Sequence, residues 1–317
     1  MKILITGANG QLGRALNLLM DANEGQSEAV ASGEKSIENR KYERINTDVW
    51  NPSEGYPARF VRKDIRYLDI TDCKMVDDMI AEVRPDVVIN CAAHTAVDRC
   101  ETEKELAYRI NAVGPENLAQ AVKKYGGVLV QVSTDYVFAG NGTTPYLEED
   151  PADPQSVYGA TKWEGEQKVR QILDRYFIVR TAWLYGDGNN FVRTMLRLSE
   201  KMDEIRVVND QKGTPTYTHE LAKMILNLIT TDAYGTYHGT CEGETNWYEF
   251  AVKIFELAGI PQKVVPVSTE EYGSATKRPA YSVLENKKYN QLGFGRFQSW
   301  ENALADYMKL ERPSKAG

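Results

Sequence analysis

The chain has 317 residues, 42% hydrophobic and 26% charged, an ordinary globular balance that excludes a disordered or fibrous chain. Asp and Glu outnumber Lys and Arg by 45 to 38, and a net charge of −7 excludes non-specific nucleic-acid binding through phosphate neutralisation. No run approaches the ~18 apolar residues of a membrane span, and Met1–Gly7 breaks at a glycine before a secretory apolar region forms, so the expectation is a cytoplasmic protein with no membrane partner. Cys73, Cys91, Cys100 and Cys241 form no C-x-x-C pair and the three histidines are scattered, which argues for free thiols and against a structural zinc site.

Lys2–Thr6 reads as a buried strand, followed by helical spacing over Leu12–Met20. Residues 23–58 form a polar insertion with one strand-like run, Tyr42–Thr47. Further strands are expected at 86–91, Val128–Ser133 and Phe177–Thr181, and helices at Cys73–Val83, Glu103–Lys124 and Val157–Leu173. Such alternation implies βαβ units and a doubly wound, Rossmann-like parallel sheet. We therefore expect a dinucleotide-binding domain over 1–182 and a smaller, irregular substrate domain over 183–317. The latter carries helical patterns at Phe191–Lys201, His219–Thr230 and Trp247–Ala258, and its segment 217–231 is a candidate to pack back on the first domain.

The first strand runs straight into Gly7-Ala8-Asn9-Gly10-Gln11-Leu12-Gly13, then a helix. Glycines permit the tight turn, and backbone N–H groups at a helix start attract a pyrophosphate. Gly7, Asn9, Gly10, Gln11, Leu12 and Gly13 are thus candidate cofactor contacts. An acid after the second strand would bond the adenosine ribose; Asp48 and Asp64 compete, with Asp48 slightly favoured. Arg14, Arg62 and Lys63 are cations available to a 2′-phosphate, although each is more ordinarily a solvated surface charge.

Of the 18 tyrosines only Tyr158 is followed four residues later by lysine, Lys162. Ser156 is a good N-cap, so the pair shares one helix face. An ammonium there would lower the phenol's pKa towards working pH, suiting a general acid for an alkoxide. Thr134, at the carboxyl end of Val128–Ser133, is placed to hydrogen-bond a substrate oxygen. A plain surface i,i+4 pair is the bland alternative.

These residues together resemble the extended short-chain dehydrogenase/reductase family, and within it the branch that reduces dTDP-4-keto sugars. The likeness runs through Gly7–Gly13, Leu68–Thr71, Asn90–Asp98, Ser133–Phe138, Val157–Lys162, Arg180–Tyr185, Asn190-Phe191, Asn209–Gln211 and Arg278-Pro279. It implies that Thr134, Tyr158 and Lys162 are catalytic, with Tyr158 and Lys162 also touching cofactor. Asp69 and Ile70 would meet adenine, and Ala92 and Ala93 the phosphates and ribose. Thr134, Asp135, Tyr158, Trp183, Asn190 and Arg278 would hold a dTDP-sugar; a planar guanidinium suits its diphosphate. The implied reaction is reduction of the C4 ketone of dTDP-4-dehydro-β-L-rhamnose with NADPH, NADH being the alternative donor.

Three departures stand out: the insertion at 23–58, Lys212 where relatives often carry an aromatic residue, and Ala15 where some relatives carry a magnesium-binding carboxylate. No metal is therefore expected, and a monomer or weak homodimer is. A sugar-nucleotide dehydratase or epimerase is the nearest competing reading. The dehydratases usually place Glu after Thr-Asp, where this chain has Tyr136. A non-catalytic NADP-binding regulatory subunit would be expected to lack the lysine or the threonine.

Overall fold

The computed structural model describes residues 1–25, 41–49, 64–273 and 276–311. Much of the expected insertion, with Arg62 and Lys63, lies outside the described residues.

The first lobe is a seven-stranded, all-parallel sheet. Its strands are β1 (Lys2–Thr6), β2 (Glu43–Asp48), β3 (Ile65–Tyr67), β4 (Val87–Asn90), β5 (Val128–Thr134), β6 (Tyr176–Thr181) and, late in the chain, Gly235–His238. Their spatial order is β3-β2-β1-β4-β5-β6 followed by 235–238. The order reverses between β1 and β4, which leaves a crevice at their carboxyl ends.

Both faces of the sheet are covered, which explains the unbroken apolar runs. Ile3 and Ile5 of β1 point into a core completed by α1 (Gln11–Gly25) and Thr218–Leu228. Leu4, between them, points into the opposite core with α2 (Cys73–Val83) and Gly114–Tyr125. Helix α2 has the bounds its spacing predicts: the Asp72 carboxylate caps it by accepting from Met75 N at 3.0 Å, and Arg84 closes it in the left-handed region at φ 48°.

The helix expected over Glu103–Lys124 is formed over 104–125, with a π turn inside it. After α3 (Val97–Thr102), the chain makes α4 (Lys104–Tyr108), a π turn at Arg109–Val113 and α5 (Gly114–Tyr125). Pro115 sits in the first turn of α5, the place where a missing N–H costs least. The widened turn is secured by Asn111, whose side chain accepts from His94 N at 2.9 Å and donates to the His94 carbonyl at 3.1 Å. Helix α6 (Val157–Ile172) returns to the sheet before β6.

After β6 the chain runs through β7 (Leu184–Tyr185), α7 (Phe191–Ser199), β8 (Glu204–Val208), β9 (Lys212–Gly213), β10 (Thr216–Tyr217), α8 (Thr218–Leu228) and β11 (Gly235–His238, the seventh sheet strand). It continues with β12 (Thr245–Asn246), α9 (Trp247–Ala258), β13 (Lys263–Val267), α10 (Thr269–Tyr272), α11 (Lys287–Gln291) and α12 (Trp300–Glu311). Strands β8 and β13 pair in parallel, and α7, α9 and α12 build a separate core around Phe250, Ile254 and Leu304. Although late in the chain, α8 and β11 pack into the first lobe. No helix of the described residues is long and apolar enough to cross a membrane.

A fully buried carboxylate, Glu166 on α6, ties these layers together. It pairs with Arg180 of β6 at 2.8 Å and Arg170 at 2.7 Å, and accepts from the Ser133 hydroxyl of β5 at 2.5 Å. Arg180 is itself 1% exposed. Removing one member of a buried pair leaves a charge stranded in low dielectric. Glu166→Ala is therefore expected to lower unfolding free energy by about 3–5 kcal/mol, read as a fall in urea midpoint, with Glu166→Gln losing less.

Candidate active site

The crevice is built from the carboxyl ends of β1, β2, β4 and β5. After β1 the chain turns at once, with Gly10 N donating to the Gly7 carbonyl at 2.9 Å. Gly7 adopts φ 62°, and a Cβ there would stand 2.7 Å from Ala92 N, so only glycine fits. The turn feeds the start of α1, whose unpaired N–H groups make an anion site. This turn, packed too tightly for a Cβ at Gly7 or Gly13 and leading into a helix start, fits the pyrophosphate of a dinucleotide.

Asp48 ends β2 and accepts from Asn9 N of the loop at 2.9 Å. Burial pushes its carboxyl above the usual range, against the pull of the Asn9 and Val49 amides. Asp64 lies instead at the entry to β3, exposed, accepting from the Asn46 amide at 3.4 Å. Of the two acids, Asp48 borders the glycine turn. Asp69 stands just past β3 and accepts from Thr71 N at 2.8 Å, while Ile70 is buried and its carbonyl accepts from the Asn117 amide at 2.9 Å. Ala92 and Ala93 are half-buried beyond β4, and Ala92 N donates to Asn90 Oδ1 at 3.2 Å.

Arg14 corrects an expectation. It is 3% exposed and donates to the Asp187 carbonyl in the second lobe at 2.7 Å, so it ties lobes together rather than facing a 2′-phosphate from solvent. Its place on the inner face of α1 buries the stem that sequence alone leaves unplaced.

Tyr158, Thr134 and Lys162 converge on β5. The start of α6 is capped by the Ser156 hydroxyl, which accepts from Gly159 N at 3.1 Å, and Val157 N donates to Glu101 of α3 at 2.8 Å. Gly159 allows α6 to approach closely: a Cβ there would lie 2.1 Å from the Tyr136 carbonyl oxygen. The Tyr158 phenol consequently lies on the Thr134 side of α6, where Thr134 opposes the upward push of burial on its pKa, and meets the Tyr136 ring edge-on, centroids 5.4 Å apart. Thr134 donates its hydroxyl hydrogen to Asp135 Oδ1 at 2.8 Å. Lys162, 4% exposed, donates to the Val132 carbonyl at 2.6 Å.

The electrostatics differ from the spacing argument. Burial pushes the Tyr158 phenol well above its ordinary value, with Thr134 the group that opposes it. Burial also brings the Lys162 ammonium down to about 8, with Glu166 opposing. Lys162 is turned to the Val132 backbone carbonyl. A phenol kept protonated is the loaded form of a general acid.

Other expected contacts scatter around this centre. Trp183 holds φ 48°, a strained setting for a bulky residue, with its indole stacked on Trp247 at 3.6 Å between centroids. Arg278 pairs with Asp98 at 3.1 Å beside Tyr136. Asn190 caps α7, accepting from Arg193 N at 3.1 Å and donating to the Gly186 carbonyl at 2.6 Å, so its amide is committed to the local backbone. Lys212 faces solvent and pairs with Glu244 at 3.1 Å. Two residues of this region escaped the sequence reading, Asn111 and Glu166. Gly114-Pro115 inside a helical pattern is the one local sign of the turn that carries Asn111.

A phosphate cradle beside a half-buried phenol, a buried hydroxyl and a buried ammonium, at the switch point of a doubly wound sheet, is the layout of a nucleotide-dependent carbonyl reductase. The chain belongs to the RmlD substrate binding domain family, which matches residues 1–312. It is 40% identical over 311 residues to a dTDP-4-dehydrorhamnose reductase of Streptomyces griseus, covering 96% of this chain and 91% of that one. Its fold matches the crystal structure of a dTDP-4-dehydrorhamnose reductase from Clostridium acetobutylicum with TM-score 0.84 and 48% identity, covering 98% of this chain and 99% of that one. The enzyme of that name from Bacillus anthracis, solved in complex with NADP, matches with TM-score 0.81 and 42% identity over 98% and 99%.

The depressed Lys162 gives a test. Between pH 8 and 10.5 the unfolded chain keeps a proton that the folded chain has shed, so this lysine makes stability rise with pH across that window and costs stability below it. At pH 7 Lys162→Met should melt at least about 2–4 °C above the parent, the shift of roughly one kcal/mol in a larger domain. The gap should narrow by pH 9.5 in a thermal scan.

Proposed function

We propose that the chain reduces the C4 ketone of dTDP-4-dehydro-β-L-rhamnose to the alcohol of dTDP-L-rhamnose, with NADPH as the reductant and NADH as the alternative donor. The observation that carries this reading is the convergence of Tyr158, Thr134 and Lys162 at the end of β5, beside the glycine turn. Bound nicotinamide supplies the hydride.

The chain's own groups do the rest. Gly7, Asn9, Gly10, Gln11, Leu12 and Gly13 receive the pyrophosphate, Asp48 the adenosine ribose, Asp69 and Ile70 the adenine, and Ala92 and Ala93 the inner phosphate and ribose. Lys162 holds the nicotinamide ribose. Tyr158 lies within reach of the C4 oxygen and gives its proton as the alkoxide forms; burial, which keeps that proton on the phenol, supports the assignment. Asp135, Trp183 and Arg278 hold the sugar nucleotide, with Arg278 exchanging Asp98 for a diphosphate oxygen. Asn190 shapes the same wall through the loop it caps.

The reading divides the chain into a nucleotide domain over 1–182 and a substrate domain over 183–317, with 217–231 returning to the first. It also takes the protein as a cytoplasmic monomer or weak homodimer. The related dehydratases usually add a glutamate after Thr-Asp as a second acid/base, and this chain has Tyr136 there.

The assay follows the absorbance of the reduced nicotinamide as the 4-keto sugar nucleotide is added. Oxidation of NADPH coupled one-to-one to dTDP-L-rhamnose is the expected result. Sugar conversion without net nicotinamide turnover would instead identify an epimerase or dehydratase. Tyr158→Phe should bind NADPH nearly as well as the parent while turnover falls by about two or more orders of magnitude.

A further inference from the structure

Among the described residues only Arg84 and Trp183 combine a side chain with a left-handed backbone, and Arg84 closes α2. Trp183 closes no helix, and for so bulky a residue φ 48° is a costly setting. Such a setting persists only where the surroundings over-determine it, and strain of this kind gathers at ligand sites. The place of Trp183 fits that pattern. It lies two residues past Thr181, the register partner of Thr134 at the paired ends of β6 and β5.

Three contacts over-determine Trp183. Its carbonyl accepts from Thr216 N of β10 at 3.1 Å. Its indole rests on Gly213 of β9: a Cβ on that glycine would stand 2.4 Å from the indole Cε2, and its three nearest neighbours would all be indole atoms. The face of the indole lies on that of Trp247, with the planes 10° from parallel. Trp247 is itself fixed. It opens α9, which is capped by the Asn246 side chain accepting from Glu249 N at 2.8 Å, and its ring packs on Phe191 with centroids 4.6 Å apart. Strand β12, which leads into Trp247, pairs with β9 so that Thr245 stands opposite Gly213. The glycine and the second indole thus come from one two-stranded ribbon. Both indoles are half-buried. A flat, rigid aromatic plate, partly open beside the strand ends, suits one wall of a pocket for a sugar nucleotide.

We infer that Trp247 is a positioning residue for the sugar nucleotide: stacked on Trp183 and carried by the β9–β12 ribbon, it holds the strained Trp183 as a fixed wall against which the substrate binds. This rests on the reduction proposed above and on the place given there to Trp183. The stacked rings take no part in the transfer of hydride or proton. They therefore act alike on bound substrate and transition state, which sets affinity and leaves the chemical step alone.

The test is Trp247→Leu, which keeps an apolar side chain against Phe191 and removes the plane. Two stacked indoles give exciton-split bands in far-ultraviolet circular dichroism, and the variant should lose them. Its KM for the 4-keto sugar nucleotide should rise about three- to tenfold, the scale of one aromatic pair, with kcat and the Kd for NADPH as in the parent. Trp247→Phe restores a plane and should bring KM most of the way back. Loss of the bands with an unchanged KM would overturn the inference. So would an equal loss of kcat or of NADPH affinity, the mark of a general role in the fold. Gly213→Ala serves if the first variant does not fold: its Cβ displaces the Trp183 indole, so the bands should weaken and KM rise, and an unmoved KM again overturns the inference. If Trp183→Leu leaves KM unchanged, Trp183 does not face the substrate, and the inference falls with that assignment. A parent protein that oxidises no NADPH with this substrate refutes the proposed reaction itself, a result separate from the others.

Discussion

The catalytic end of the molecule hangs on Glu166, which no solvent reaches. Three cationic or hydroxylic groups from α6, β5 and β6 meet on its two oxygens. It lies one helical turn after Lys162, and Ser133, which it holds, precedes Thr134. A shift of α6 relative to β5 would break these bonds while moving Tyr158 away from Thr134. The pair with Arg180 is a poor source of net stability, because desolvating two charges consumes most of their attraction. Its value is geometric: it leaves one register between the helix that carries the phenol and the strand that carries the hydroxyl.

A second constraint joins the lobes. Arg14 enters from the helix that starts at the glycine turn and meets the Asp187 carbonyl. Asp187 also pairs with Arg193, which in turn pairs with Glu311 at the end of α12. The Asn190 amide caps the helix carrying Arg193 and reaches Gln11 of the glycine turn at 3.4 Å. The loop after β7 is thus held on both sides.

Much of this was legible in the residues. Strand β1 declares itself because both of its faces are buried, and helix α2 because Asp72 and the residues after Val83 punctuate it. Tyr158 and Lys162 are legible as a pair because Ser156 starts a helix at the right place. What the sequence hides is whatever depends on side-chain burial or on a break inside a good pattern. The π turn at Arg109–Val113 keeps its helical composition on both sides, so only Gly114-Pro115 marks it. Arg14 looks like any surface cation until α1 is docked on the sheet and its guanidinium turns inward. Strands β3 and β11 are too short to show a period. The left-handed backbone of Trp183 leaves no trace in composition at all.

The electrostatics of the site turn on the same point. Spacing alone suggests that Lys162 acidifies Tyr158, yet desolvation acts on both groups at once and drives them towards neutrality from opposite sides, phenol up and ammonium down. Asp135, beside them, is driven the same way. Three neighbouring groups that resist carrying charge make an expensive interior for a folded chain. A proton donor for a ketone has to hold its hydrogen until the alkoxide forms and must not be ionised by its surroundings beforehand. Desolvation, more than the lysine, therefore governs the protonation of the phenol, and the ammonium is held instead at the Val132 carbonyl.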